Sequence, residues 1–97
     1  MNHTLHGDNV EITDALRDLV GEKLAPLGQG TDTTSARVTL KVDGSMQAAS
    51  GTLHVNGQDL TTITATASDM HTAIDRLGNK LSAQLKRHKQ RQHGRLQ

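Results

Sequence analysis

A chain of 97 residues with no Phe, Tyr, Trp or Cys must form one domain around an aliphatic core, which excludes disulfides, thiolate chemistry and the aromatic platforms on which most single-stranded RNA readers stack bases. The net charge of +1 conceals a division: up to Asp75 there are 4 basic and 10 acidic residues, a net of −6, and beyond it 7 basic residues and no acid. That asymmetry points to a polyanion-binding segment carried on an acidic body.

Taken in order, His3 to His6 reads as a short strand ended by the turn residues Gly7, Asp8 and Asn9. Thr13 is placed to cap a helix reaching about Leu24, with Leu16, Leu19, Val20 and Leu24 at helical spacing and Pro26 and Gly28 as its stop. Arg17 and Lys23 lie off that apolar stripe and should face solvent. The polar, glycine-containing run from Gly28 to Ser35 is expected to be a flexible loop. From Ala36 the period changes to two, Val38, Leu40 and Val42 alternating with Arg37, Thr39 and Lys41. Asp43 and Gly44 mark a turn, and Ala49 to Val55 gives the next strand, with Leu53 and Val55 inward. Asn56-Gly57 is the clearest hairpin signal, leading into a strand from Leu60 to Ala67 whose threonines suit a solvated sheet face.

Ser68 or Asp69 then caps a closing helix. At about 100° per residue, Met70, Ile74, Leu77, Leu81, Leu85 and His88 share one stripe, while Arg76, Lys80, Arg87 and Arg91 form a separate row over ~22 Å, widened by Lys86 and Lys89. Gly78 costs about 1 kcal/mol in mid-helix, so tertiary packing must hold the helix together. The predicted order is β-α-β-β-β-α, an α+β fold in which two helices cover one face of a four-stranded sheet.

The remaining chemistry is sparse. His3 and His6, three apart in a strand, point to opposite faces, and neither a cysteine nor a compact carboxylate cluster completes a metal site. No nucleophile elbow, phosphate-cradling glycine loop or paired carboxylates are present, so neither an enzyme nor a cofactor is expected. Arg37 and Lys41 either add a basic patch on the sheet or guard an exposed sheet face against aggregation. On these grounds alone an RNA-binding module and an adaptor whose basic helix docks on an acidic protein both remain open.

GDNVEITDALRDLVGEKLAPL, VTLKV, GTLHVNG and SDMHTAIDRLGNKLSAQLKRHK, in register from about Leu5 to Lys89, together resemble the short ribosome hibernation promoting factors, relatives of the ribosome-associated inhibitor called protein Y. The resemblance implies a fold similar to double-stranded RNA-binding domains and a cytoplasmic, non-enzymatic protein, monomeric when free and without membrane contact. It would bind 30S subunits and 70S or 100S ribosomes at 16S rRNA in the mRNA and tRNA channel, block translation and promote 100S dimers in stationary phase with a separate modulation factor. Idling of 70S monomers and general duplex-RNA binding are the alternatives. Carried over by position, the rRNA-binding residues are Arg17, Lys23, Lys41, Lys80, Lys86, Arg87 and Lys89, to which the helical row adds Arg76 and Arg91. His71 and Leu19 stand where aromatics are common in the family. The chain is expected to be of the short type, with a ribosome-binding domain over 1–92 and a flexible basic tail over 93–97.

Overall fold

A computed structural model describes residues 2–28 and 33–95 of the chain, with side chains as far as Gln90. The first strand, β1 (Asn2–Asp8), pairs in parallel with β2 (Thr33–Asp43), and the crossover that parallel pairing demands is the first helix, α1 (Asp14–Gly28). Thr13 caps it as predicted, its hydroxyl accepting from the Leu16 N–H at 3.2 Å. Pro26 does not stop the helix, which continues to Gly28. A proline in a last turn removes only one backbone hydrogen bond, and the extra turn carries Leu27 into the core.

β2 turns through Gly44 and Ser45 into the antiparallel β3 (Met46–Val55), with Asp43 opposite Met46. Gly44, at φ 62°, takes the left-handed backbone that glycine adopts at least cost. Asn56 and Gly57, at φ 53° and 79°, then make the expected two-residue hairpin, with the φ signs of a type I′ turn.

Where one strand was expected from Leu60 to Ala67, the chain instead forms a two-residue β4 (Gln58–Asp59) and, after a break at 60–62, β5 (Ile63–Ala67). Both pair with β3, so the sheet keeps the width of four strands expected from the pattern, with its last member split. Three steps along β3, from His54 to Gly51, face four steps from Asp59 to Ile63, which is one residue too many for a flat ladder. The surplus is a bulge: the Leu60 N–H still donates to the Leu53 carbonyl at 2.8 Å, and Leu60 turns to pack on the core.

The closing helix, α2 (Met70–Arg95), starts on Asp69, whose carboxylate accepts from the Thr72 N–H and the Thr72 hydroxyl, both at 2.8 Å. Helical backbone runs past Gln92 to Arg95, so no change of structure marks the expected start of a tail at residue 93. Leu96 and Gln97 lie outside the described residues, as do residues 29–32 of the predicted flexible loop.

Both helices cover one face of the sheet. Leu19, Val20, Leu24 and Leu27 of α1 and Ile74, Leu77, Leu81 and Leu85 of α2 meet Val38, Leu40, Leu53 and Val55. Under α2 the sheet presents small residues, Ala49, Gly51, Ala65 and Ala67, all buried. Large helix side chains set into small sheet positions give dense packing without any ring. Gly51 sets the limit of approach, because a Cβ there would lie 3.0 Å from Leu81 Cδ1 and 3.3 Å from Leu77 Cδ2. Among the described residues no helix is long and apolar enough to cross a membrane.

Candidate nucleic-acid interface

The cations divide by what they touch. Along α2, Arg76 Nη1 donates to the Thr66 carbonyl at 2.8 Å, Lys80 Nζ to the Thr64 carbonyl at 3.3 Å, and Gln84 Nε2 to the Thr61 carbonyl at 2.7 Å. The spacing has a geometric cause. Four helical residues rise about 6 Å and two strand residues span about 6.6 Å, so donors at i, i+4 and i+8 meet every second carbonyl of a strand running the other way. The last step takes three strand residues instead of two because it crosses the bulge at 60–62. β5 is an edge strand; Arg76 and Lys80 satisfy its outward carbonyls and Gln84 that of Thr61 in the bulge. Arg76 and Lys80 therefore brace the fold, a role the helical wheel did not reveal; each keeps further N–H donors for other acceptors.

Lys23 departs further from expectation. Its side chain remains 38% exposed, but it reaches across to α2, where its ammonium lies 2.6 Å from Asp75 Oδ1. Its aliphatic stem runs over Gly78, where an added Cβ would come within 3.3 Å of Lys23 Cβ. The glycine that weakens α2 locally thus admits the helix–helix contact. Hydrogen bonding and charge act the same way on both partners, raising the Lys23 ammonium and lowering the Asp75 carboxyl from their ordinary values.

Arg17, Lys41, Lys86, Arg87 and Lys89 are exposed, and none of them has an ion-pair partner among the described residues. The structure does not unite them in one surface. Lys86, Arg87 and Lys89 crowd the C-terminal half of α2, and Arg17 sits on α1 in the same helical layer. Lys41 has the opposite parity to the buried Val38 and Leu40, which puts it on the open face of the sheet, in register with Asp8. Arg91 continues α2, but its side chain lies outside the described residues.

The open sheet face carries a polar network of its own. The Ser50 and Thr64 hydroxyls are 2.9 Å apart, and those of Thr52 and Thr62 also bond. Asp59 accepts from Arg37 Nη2 at 2.9 Å and lies 2.8 Å from His54 Nδ1. The His54 bond and then the Arg37 charge hold the Asp59 carboxyl below its ordinary range. Arg37 is thereby neutralised on the sheet, a pairing that the distance in sequence from Asp59 had hidden.

No group of three or more His, Asp or Glu converges among the described residues in a way that could hold a metal. The arrangement suits a ligand that presents a line of negative charge to the helical layer: the acids of α2 stop at Asp75, which is already paired.

The family described as Sigma 54 modulation protein / S30EA ribosomal protein matches residues 4–93. A Pseudomonas putida protein named ribosome hibernation promoting factor is 40% identical over 98 aligned positions, covering 100% of this chain and 95% of its own length. An Escherichia coli protein of the same name is 43% identical over 90 positions, covering 92% and 94%. Among solved structures, the N-terminal domain of Thermus thermophilus Protein Y superposes with a TM-score of 0.82 at 37% identity, over 91% of this chain and 99% of that one. A ribosomal subunit interface protein from Coxiella burnetii, at 23% identity, shares the fold with a TM-score of 0.84 over 92% and 98% of the two chains.

Proposed function

We propose that this chain, which belongs to the Sigma 54 modulation protein / S30EA ribosomal protein family, binds 16S rRNA of the 30S subunit in the channel used by mRNA and tRNA. Occupying that channel blocks translation, and with a separate modulation factor the bound protein favours 100S dimers in stationary phase. It acts in the cytoplasm, without catalysis, as a monomer that docks on the ribosome.

One observation carries this reading: Lys86, Arg87 and Lys89 have no carboxylate partners among the described residues and project from a helix that is clamped to the sheet, so phosphate binding neither breaks ion pairs nor orders a loose segment. Arg17 and Lys41 extend the contact over α1 and the open sheet face. Arg76 and Lys80 keep their charge, since their internal partners are neutral carbonyls, whereas Lys23 is already balanced by Asp75 and contributes least. Arg91, which helical spacing in the sequence assigns to the same row, adds a further cation. Without aromatic side chains, recognition rests on phosphates and the shape of folded RNA.

Sedimentation tests the reading. The protein should travel with 30S and 70S particles at low salt and move to the top of the gradient as salt rises, and adding the modulation factor should shift 70S particles to 100S. Equal affinity for a plain RNA duplex, or association that survives RNase digestion of the ribosomes, would refute it.

A further inference from the structure

The open face of the sheet holds a shallow hollow of about 300 Å³, lined by Ser35, Arg37, Thr52, His54 and Asp59. Ser35, His54 and Asp59 are successive partners across β2, β3 and β4, and Arg37 lies two residues along β2 from Ser35, opposite Thr52. Alternation along the strands puts all five side chains on one face. Both helices cover the other face, so the hollow opens to solvent.

Asp59 holds both nitrogen groups of the hollow at once. One of its oxygens accepts from Arg37 Nη2 at 2.9 Å, and the other lies 2.8 Å from His54 Nδ1. A carboxylate can only accept, so Nδ1 carries the proton of that bond and, in the neutral ring, Nε2 is left as an acceptor. In this state the positive charge of Arg37 cancels the negative charge of Asp59, and an incoming anion meets no net attraction. A second proton on His54 changes both terms. Nε2 becomes a donor, and the three groups together carry one positive charge. Asp59 stays ionised meanwhile, because the His54 bond and then the Arg37 charge hold its carboxyl below its ordinary range.

Resting on the RNA-binding reading above, we infer that this hollow is an acid-activated site for a backbone phosphate of RNA. With His54 protonated, its Nε2 and the remaining N–H donors of Arg37 hold one phosphodiester, and Asp59 positions both side chains. Ser35 brings a hydroxyl to the same hollow. Lys41 stands four residues beyond Arg37 on the same face, about 13 Å along β2, so an RNA strand lying along β2 meets both cations. From the neighbouring strands the charged groups facing His54 are Arg37 and Asp59, while His6, Asp8, Lys41 and Asp43 lie farther along the face. Since the protonated state binds, affinity rises as pH falls through the histidine range, and bound phosphate in turn makes His54 keep its proton to higher pH.

Nuclear magnetic resonance of the whole protein with dimethyl phosphate, a diester that stays monoanionic, tests the site by itself. At about pH 5.5, roughly 0.1 M dimethyl phosphate should shift the Arg37 side-chain carbon and His54 ring signals, and at about pH 8 at least about threefold less, with sodium chloride at equal ionic strength as the blank. His54→Gln should lose the response at both pH values. Asp59→Asn should show it at both, since Arg37 is then no longer neutralised. Equal shifts at the two pH values in the unaltered protein, shifts reproduced by chloride, or a silent Asp59→Asn variant would overturn the site. With 30S subunits, the same drop in pH should raise affinity at least about threefold more for the unaltered protein than for His54→Gln, and an equal rise would overturn the assignment to RNA. Binding to 30S subunits without a dimethyl phosphate response sinks the site alone. A response in a protein that never sediments with 30S subunits sinks the ribosomal reading alone.

Discussion

The two halves of α2 carry the same kind of charge and use it differently. In the first half, Arg76 and Lys80 turn back onto the carbonyls of β5, and Asp75 takes the ammonium of Lys23. In the second, Lys86, Arg87 and Lys89 stand without such bonds among the described residues. Position on the helix decides the difference: the first half crosses the sheet beside an edge strand, and by Lys86 the helix has passed the end of β5. Formal charge in a sequence therefore overstates the charge available to a ligand.

The strongest way to break this contrast is to neutralise the second half. Lys86→Gln, Arg87→Gln and Lys89→Gln together should weaken 30S binding roughly 100-fold at about 0.1 M salt and flatten the plot of log affinity against log salt by about 2 to 3, with no change in melting temperature. A variant that melts early would show that these cations, too, are structural. Next comes the clamp itself: Gly51→Ala should cost about 1–3 kcal/mol in urea unfolding, because the new methyl presses on Leu81 and Leu77 and lifts α2 from the sheet.

A smaller and different effect is expected from Arg76→Ala with Lys80→Ala. Uncovering the edge carbonyls of β5 should produce concentration-dependent self-association in sedimentation equilibrium, with a loss of ribosome affinity well below that of the triple variant. Equal losses would erase the distinction between the halves. The smallest effect is electrostatic. Asp59, Asp69 and Asp75 all have folded values below their unfolded ones, so the stability they lend is fully present above about pH 4 and drains away as pH falls through the depressed values. Asp75→Asn should blunt the acid-side fall in urea midpoint slightly, since the Lys23–Asp75 pair is solvent-exposed.

What could be read from the sequence was what is decided locally. The Thr13 cap, the alternation through Val38 and Leu40, and the Asn56-Gly57 hairpin each depend on a few neighbouring residues, and each stands as expected. The apolar stripe of α2 followed from helical periodicity, and Ile74, Leu77, Leu81 and Leu85 are buried. What escaped depends on partners far along the chain. Lys23 looked like a solvated cation because Asp75 is 52 residues away, and α1 outran Pro26 because Leu27 has a core to enter. Gly51 is one glycine in a strand until two leucines of α2 lie across it. The bulge at 60–62 has no signature of its own in a run of Leu and Thr. For the candidate interface, the wheel set the cations of α2 apart from its apolar stripe, while the split between bracing and available cations required knowing where the sheet ends.

The pairing of Arg76, Lys80 and Gln84 with Thr66, Thr64 and Thr61 behaves like a rack and pinion. Removing one residue from α2 between these donors would rotate every later tooth by about 100° and disengage it. Removing a full turn of helix together with two residues of β5 would let the teeth mesh again. Length variation in this part of the molecule should therefore come in matched steps, four residues on one side with two on the other, and unmatched insertions should be confined to the turns at either end.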